Sequence, residues 1–420
     1  MNTIIKNARR ISLLVGFILL FPTIQAQNDT DYYTVSGLIK DKQTQKKIGY
    51  VTVSATGTNI GTIANEDGEF TLKLNDTLDV KEIELSCLGY YNTKVSISKN
   101  NSPNQVFYMN SRTINLKEVN VLSWKNAREL IEIAIEKIAE NYSITPNLLT
   151  GFYRETAQKG KKYINISEAV IHIYKSSYKS DAESDRVQVL KGRKLVSPKK
   201  SDTLSVKLLG GPNLSVYVDI VKNPYMLLDK EILPYYTYKL GDATSINDRM
   251  QYVVYFSPEA LAATPLYRGT YYIDQQTLAF TRVEFQIDMR DKNMVTSLIL
   301  KQKPKGLRFS PEGVEYVVGY KYQDGKSYLN YIHNEIKFKC DWKIKLFATS
   351  YSVVSEMVVT DNQKESVLRI PLKESFSMRK SLSEEAIGYF DENFWGAYNI
   401  IEPTESLESA VSKLKKDKDK

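Results

Sequence analysis

The sequence predicts a mainly β protein with a small N-terminal β-sandwich, a linker helix, a large antiparallel curved β-sheet domain and a C-terminal helical tail. Three observations support this. Short alternating runs, separated by turn signals about every ten residues, fill the first part of the chain. One stretch with helical periodicity follows, and residues 149–371 are then almost entirely strand-like. A chain of 420 residues is too long for one compact core, so we expect two or three folded units.

The N-terminus has the order of residues found in secretion signals. Three basic residues precede an apolar run over 11–21, and Ala26 offers a small residue for cleavage. The run is short for a bilayer span. We therefore predict that 1–26 is a signal peptide cleaved after Ala26, and that the protein is exported to the periplasm or associates with the outer membrane. An uncleaved anchor is the alternative.

The overall charge is mild. The chain carries a formal net charge of +8, which becomes +5 without the three basic residues of the signal. This value gives no indication of a nucleic-acid groove. The visible basic cluster is the end of the chain, 413–420, where lysines alternate with aspartates. We predict a solvated tail there, with a polybasic lipid contact as the alternative.

The first predicted unit is a β-sandwich over 33–109. A turn at 65–68 precedes one of its strands, and Gly68 is expected to take a positive φ there. The acidic residues Glu66, Asp67 and Glu69 could suggest calcium, but a calcium loop needs more oxygen ligands at fixed spacing, so a plain turn is favoured. The predicted strands are 34–39, 50–55, 70–74, 83–88 and 93–97.

This unit resembles the carboxypeptidase regulatory-like domain. The resemblance rests on the runs 35–41, 57–62, 65–70 and 86–90. It implies a seven-stranded sandwich that serves as an accessory module and not as a catalyst.

Two further stretches extend the resemblance. The Leu-x-Glu-Val-x-Val pattern over 116–121 often closes such a module, and in TonB-dependent receptors it precedes the plug. No plug or long barrel follows here, so the receptor function is not implied. The run 390–403 and the N-terminal module together resemble carboxypeptidase regulatory-like domain-containing proteins of Gram-negative envelopes, over nearly the whole mature chain.

A linker and an amphipathic helix are predicted over 110–147. Ser123 is the expected N-cap of a helix over 124–142, which Pro146 ends. The residues expected on its apolar face recur at spacings of three and four: Ala127, Leu130, Ile131, Ala134, Ile135, Ile138 and Tyr142.

The large antiparallel β domain is predicted over 148–378. Asp324 and Gly325 form a strong hairpin signal, and 336–346 alternates strictly between apolar and polar residues. The polar stretch 179–204 reads as a long loop, and 214–221 as a short helix over the sheet. A tail over 379–420 ends in a short amphipathic helix. The other predicted strands are 151–155, 163–174, 252–256, 269–273, 279–287, 314–322 and 328–332.

The sequence offers no catalytic, cofactor-binding or metal-binding residue. The two histidines, His172 and His333, lie in strand-like runs and open neither an HxxE nor an HExxH pattern. Cys87 and Cys340 could form a disulfide, but both have the pattern of core residues in different units.

The familiar hydrolase patterns give no candidate either. No Gly-x-Ser-x-Gly motif and no phosphate-binding loop occur. Carboxylates such as Glu168, Asp219 and Asp274 cannot be singled out as glycosidase acids.

These observations favour a non-catalytic binding or interaction protein of the cell envelope, whose partners are other envelope proteins or outer-membrane components. The hairpin over 267–280 is similar to those of lipoprotein-carrier-like sheets, so the large β domain could hold an apolar or peptide ligand. Its apolar face could equally be core sealed by helices. The alternatives are an outer-membrane β-barrel or TonB-receptor-related transport component, which the alternation and the 29 tyrosines would fit, and an envelope hydrolase.

Overall fold

The fold is taken from a computed structural model. It describes residues 31–99, 105–112, 126–259, 262–342, 347–377, 380–386 and 394–418. Four of the features predicted from sequence lie wholly or partly outside these residues. They are the signal peptide 1–26, the pattern over 116–121 together with Ser123, the end of the alternating run at 343–346, and the start of the run 390–403.

The N-terminal unit is a β-sandwich of seven strands, as the resemblance implies. A three-stranded sheet has the order β4-β1-β7 and a four-stranded sheet the order β3-β2-β5-β6. Alternate residues such as Val35, Leu72 and Leu85 are fully buried between the sheets. The strands are β1 (Tyr32–Asp41), β2 (Thr52–Ala55), β3 (Gly61–Ile63), β4 (Glu69–Asn75), β5 (Glu82–Ser86), β6 (Thr93–Ser96) and β7 (Gln105–Met109).

The sequence pattern missed two of these strands. β3 is only three residues long, too short to show a clear alternation. β7 completes the smaller sheet by pairing in parallel with β1, and a local sequence pattern does not indicate such a distant pairing. The turn before β4 is as predicted, with Gly68 at φ 77°.

A single antiparallel sheet of 11 strands forms most of the rest of the chain. Its order is β10-β9-β8-β20-β19-β18-β16-β15-β14-β12, and β13 also pairs with β14. Among the described residues the order is open, with β10 at one edge and β12 at the other. The strands are β8 (Asn147–Lys159), β9 (Lys162–Lys175), β10 (Arg186–Val196), β12 (Tyr236–Leu240), β13 (Thr244–Ile246), β14 (Arg249–Pro258), β15 (Tyr267–Asp274), β16 (Phe280–Ile287), β18 (Leu307–Gln323), β19 (Lys326–Trp342) and β20 (Thr349–Gln363). A separate pair consists of β11 (Lys207–Leu208) and β17 (Leu300–Gln302).

Two sequence predictions for this region need correction. The stretch 179–204 is not one long loop, because it contains β10, an edge strand that is mostly half-buried or buried. The runs 328–332 and 336–346 are not separate strands, because both lie in β19. The hairpin prediction is confirmed, since Asp324 and Gly325 have φ of 51° and 79° between β18 and β19.

The inner face of the sheet is packed against helices. Neighbouring residues alternate between the faces: Tyr153 and Ile332 belong to the inner core, whereas Phe152 and Tyr331 face outward. The helices on the inner side are α1 (Ala127–Glu136), α2 (Ile138–Asn141), α3 (Pro212–Tyr217) and α4 (Lys292–Ile299). The apolar face of α1 is the predicted one, but Asn126 is its N-cap, accepting from the N–H of Glu129, so the helix begins three residues later than expected.

The tail lies on the outer face of the sheet. Residues 394–404 cross this face, and α6 (Glu405–Lys418) packs Leu407 and Leu414 against Ile166 of β9 and Leu195 of β10. A short helix, α5 (Leu382–Glu385), precedes it and packs Leu382 into the inner core instead. The amphipathic helix is therefore confirmed, and it extends through the lysine-rich stretch to Lys418, with Lys413 and Lys416 exposed to solvent.

Candidate ligand-binding cleft

A cleft separates the sandwich from the outer face of the large sheet. It consists of two adjacent hollows of about 430 and 480 Å³, sizes that suit small ligands or peptide segments. Tyr50, Arg282 and Tyr331 line both hollows. The cleft therefore needs side chains from both units.

A hairpin turn of the large sheet fixes one side of the sandwich. The turn between β13 and β14 contains Asn247 and Asp248, which have φ of 53° and 56°. Asp248 Oδ1 accepts from the N–H of Asn92 at 2.9 Å, and the carbonyl of Ser245 accepts from the N–H of Gly89 at 2.9 Å. These two hydrogen bonds hold the sandwich against the large sheet at this side of the cleft.

The tail fixes the other side. The hydroxyl of Thr62 donates to the carbonyl of Ile400 at 2.8 Å. The side chain of Asn399 accepts from the N–H of Lys73 at 2.7 Å and donates to its carbonyl at 3.1 Å, so that it continues the hydrogen bonding of β4. Ile63 packs in the same apolar cluster as the tail. The chain therefore closes the junction between the two units with its own C-terminal segment.

Tyr50 projects into the cleft from a strained backbone. Its φ of 59° is rare for an aromatic residue and indicates a conformation held by its surroundings. Its ring lies 6.1 Å from that of Tyr331 and 6.4 Å from that of His333. Burial, reinforced by the Glu356 carboxylate, raises the pKa of its hydroxyl, so Tyr50 is a neutral wall residue. The strand predicted to begin here begins instead at Thr52.

Cations line the cleft without full pairing. Arg282 Nε donates to Glu284 Oε1 at 2.6 Å, which leaves its other N–H groups without a partner among the described residues. Lys321 has neither a hydrogen bond nor an ion pair with any described residue. Burial lowers the pKa of its ammonium, and the nearby Glu84 offsets part of this effect. A carboxylate or carbonyl oxygen of a ligand could accept hydrogen bonds from both Arg282 and Lys321.

A second polar group lies at the far wall. Glu356 Oε1 accepts from the hydroxyl of Tyr331 at 3.1 Å and lies 3.6 Å from His333 Nδ1. Burial would raise the pKa of Glu356, but the adjacent His333 lowers it. Within the described residues no serine, threonine or cysteine side chain hydrogen-bonds to His333. Among the described residues the wall therefore holds a carboxylate beside an imidazole, and no nucleophile is paired with that imidazole.

The comparisons with known proteins concern the sandwich first. Residues 35–121 match the CarboxypepD_reg-like domain. The match confirms the resemblance seen in the residues, and it covers the N-terminal module only. No protein of curated function matches the chain significantly.

Solved structures resemble the larger part of the chain distantly. A domain from Vibrio parahaemolyticus, described provisionally as an outer membrane lipoprotein-sorting protein, is 12% identical, with a TM-score of 0.29 over 58% of this chain and 95% of its own. A DUF1329 family protein from Desulfovibrio piger is 9% identical, with a TM-score of 0.25 over 58% and 95%. A LolA superfamily protein from Nitrosomonas europaea is 12% identical, with a TM-score of 0.23 over 61% and 99%. Likenesses of this size carry no argument about function.

The three carboxylates considered from sequence do not line the cleft but lie in separate buried ion pairs, of which that of Asp274 reaches the cleft through Arg249. Glu168 bonds to two arginines on the outer face, Asp219 lies 2.8 Å from Lys175 Nζ on the inner side, and Asp274 binds Arg249 through two N–H groups. Such pairs fix the packing of elements. The structure does not bring the three together.

The histidines and cysteines are also dispersed. His172 lies on β9 and His333 on β19, with β8 and β20 between them. Both cysteines are free thiols: Cys87 lines the cleft from within the CarboxypepD_reg-like domain, and Cys340 is buried in the large sheet, where burial raises its pKa to about 11. In the described part of the chain no group of three or more His, Cys, Asp or Glu could hold a metal ion.

Sequence reasoning did not identify Tyr50, Arg282 or Lys321. Each lies in a run that reads as ordinary strand, and the three positions are far apart in the chain. The signal that the sequence offered near Tyr50 was the glycine at position 49. In the structure a side chain would not fit there, because a Cβ on Gly49 would lie 2.7 Å from the carbonyl oxygen of Glu66. Such a glycine marks a close backbone approach and not a ligand site.

Proposed function

We propose that the chain is a non-catalytic binding protein of the cell envelope. Its ligand is an extended, carboxylate-bearing peptide segment of another envelope protein, held in the cleft between the CarboxypepD_reg-like domain and the large sheet. The observation that carries this proposal is Lys321, a half-buried lysine in the cleft wall with no hydrogen bond or ion pair to a described residue. A partly desolvated charge without a counter-ion is costly, so a site that retains one favours an anionic ligand.

The other lining residues support the same class of ligand. Arg282 retains N–H groups without a partner among the described residues, and these can donate to a carboxylate in a bidentate fashion. Tyr50 and Tyr331 present flat apolar surfaces with polar tips, which suit peptide backbone and side chains. Because the cleft is lined by both neutral aromatic and charged side chains, it suits a peptide better than a purely apolar chain.

The inner face of the sheet is less suited to an acyl ligand. The hairpin over 267–280 places Tyr271, Ile273 and Phe280 in one core with the helices. The apolar side chains that would contact an acyl chain are already packed against one another in this core. The cleft is therefore the better supported site, and of the apolar and peptide ligands considered from sequence its polar lining suits the peptide.

Export remains part of the proposal. Its support is the charged, apolar and small-residue order of 1–26, together with the CarboxypepD_reg-like domain. Within the described residues, no helix has both the length and the apolar character that a membrane crossing requires. Photo-crosslinking from the cleft wall in intact cells, followed by mass spectrometry, would identify the partner.

Peptide binding by the purified mature chain tests the proposal. The probes are labelled ten-residue peptides that share Ser and Tyr positions but carry glutamate, glutamine or lysine at the others. We expect the glutamate peptide to bind best, and Lys321→Gln to weaken it about tenfold, because a charged hydrogen bond contributes roughly 1.5–3 kcal/mol.

Lys239→Gln is the matched control, because Lys239 is an exposed lysine on β12 that does not line the cleft. Equal binding of the three peptides, or equal effects of the two substitutions, would show that the cleft is not a carboxylate site.

A further inference from the structure

The large sheet has one end near the sandwich and one end away from it. At the first end, the side chain of Asn59 donates to the carbonyl of Asn362 at 2.6 Å, near the last residue of β20. At the second end, β19 stops at Trp342 and β20 starts at Thr349. β18 runs between these ends with 17 residues, a length of about 50 Å. The second end is therefore remote from the cleft.

Phe347 lies exposed at this remote end. Its side chain is 82% exposed, in the connection between β19 and β20. A single exposed apolar residue is ordinary on a protein surface. What distinguishes Phe347 is the charge of the connections beside it.

Two neighbouring connections bring lysines to both sides of Phe347. The turn between β8 and β9 is attached to β20 by a hydrogen bond from the N–H of Gly160 to the carbonyl of Ser350 at 2.9 Å. The connection before β18 lies on the other side, because Leu307 pairs with Trp342. The basic residues of the two connections are Lys159, Lys161, Lys162, Lys301, Lys303, Lys305 and Arg308.

The C-terminal helix brings further lysines to this end. Leu414 of α6 packs near the start of β9, and Lys199 Nζ lies 3.0 Å from Asp417 Oδ2. The last turns of α6 therefore lie beside Lys199 and Lys200.

Ion pairs neutralise only part of this charge. Asp202 pairs with Lys162, and Asp417 pairs with Lys199. Lys159 and Lys303 donate only to backbone carbonyls. Five more basic residues of this end have neither a side-chain hydrogen bond nor an ion pair with a described residue: Lys161, Lys200, Lys305, Arg308 and Lys416.

We propose that this end, hereafter the basic end, is a docking surface for an anionic lipid membrane. Each lysine near such a surface contributes about 1 kcal/mol, and Phe347 can enter the boundary between headgroups and acyl chains. A soluble polyanion would use the lysines but not the exposed ring, so the combination favours a membrane. Docked in this way, the protein holds the near edge of its cleft, at Glu315 of β18, about 25 Å from the lipid surface.

Vesicle co-sedimentation of the mature full-length chain tests this docking. The probes are phosphatidylcholine vesicles with and without about a third phosphatidylglycerol. We expect binding only to the anionic vesicles and a loss of binding in high salt. Lys161→Gln with Lys305→Gln should weaken binding roughly 30-fold, since about 1 kcal/mol per lysine corresponds to roughly fivefold each. Phe347→Ala should weaken it several-fold at constant charge.

The chain offers close controls. Leu368 is also 82% exposed but follows β20 at the other end of the sheet, so Leu368→Ala should bind like the parent. Lys94→Gln with Lys239→Gln removes the same charge elsewhere. Thermal unfolding of each variant should match the parent.

The proposal fails if binding does not depend on lipid charge, or if Phe347→Ala behaves like Leu368→Ala. It also fails if heparin or single-stranded DNA binds as tightly as the vesicles and depends on the same lysines.

Discussion

The ring of Tyr50 in the CarboxypepD_reg-like domain lies 6.1 Å from the ring of Tyr331 in the large sheet. The contact joins a residue with a left-handed backbone to one whose hydroxyl donates to Glu356. Both side chains line both hollows of the cleft. The cleft is therefore a property of the junction and not of either unit alone.

The backbone of Tyr50 predicts an unusual order of stability. Tyr50→Gly should destabilise the protein less than Tyr50→Ala, by about 1 kcal/mol, because glycine adopts a φ of 59° without a Cβ penalty. Urea unfolding of the full chain measures the difference. At Thr52, in β2, the order should reverse, with glycine the worse replacement. Alanine equal to glycine at position 50 would contradict the strained assignment.

The ammonium of Lys321 is expected to lower the stability of the unliganded protein and to be required for binding of the acidic peptide. Lys321→Met should stabilise the unliganded protein by about 1 kcal/mol, because it removes a half-buried ammonium that has no counter-ion within the described residues, and it should abolish binding of the acidic peptide. Thermal unfolding and peptide titration give the two readouts. Lys239→Met, at an exposed position, should change neither. A destabilised Lys321→Met variant would mean that the ammonium has a structural partner.

Gly68 carries the sharpest backbone requirement in the sandwich. An added Cβ would lie 2.9 Å from the carbonyl oxygen of Ile39 and 3.0 Å from that of Ile48, at a φ of 77°. Gly68→Ala should therefore cost about 2 kcal/mol or more in urea unfolding. Glu66→Ala, two residues earlier and exposed, is the control and should stay within about 0.5 kcal/mol of the parent. A stable Gly68→Ala variant would contradict the turn geometry.

Glu168 holds two arginines on the outer face. Its carboxylate accepts from Arg154 Nε at 2.8 Å and from Arg193 Nε at 2.7 Å, and Arg154 also donates to the carbonyl of Ile401 in the tail. Glu168→Gln should cost about 3 kcal/mol, because two buried guanidinium groups lose their counter-charge. Glu312→Gln, which breaks a more exposed pair with Lys339, should cost less than about 1 kcal/mol. If both variants lose the same free energy of unfolding in denaturant, the argument that burial strengthens the Glu168 ion pairs is wrong.

The same carboxylate predicts a pH dependence. Burial would raise the pKa of Glu168, but Arg154 and Arg193 lower it below the ordinary value of 4.5. The folded state then binds this proton less readily than the unfolded state, so the stabilisation is complete above about pH 4.5 and is lost as the pH falls through the folded pKa. The free energy of unfolding should fall more steeply below pH 4.5 in the parent than in Glu168→Gln. Parallel pH profiles would contradict this.

The N-terminus predicts a processed protein. Chain isolated from the envelope should begin at Gln27, because the apolar run over 11–21 is short and Ala26 suits cleavage. N-terminal sequencing decides between this outcome and a retained Met1, which would indicate the uncleaved anchor.

Local pattern predicted much of the fold and little of the site. The apolar face of α1, the Asp324 and Gly325 turn and the alternation in β19 all depend on residues within one or two turns of chain, so the sequence displays them directly. β10 was missed because an edge strand needs few apolar residues, and β7 because its partner β1 lies more than 60 residues earlier.

The sequence by itself determined the mainly β class, the sandwich with its Gly68 turn and the amphipathic helices, because alternation, helical spacing and turn chemistry are short-range properties. Only the tertiary structure decided that Tyr50, Arg282 and Lys321 line one cleft, since these residues are separated by up to 271 positions. Their meeting depends on the outer face of the sheet, on the turn at Asn247 and on the tail that joins the units. Such docking follows from the summed complementarity of distant surfaces, which no stretch of sequence contains.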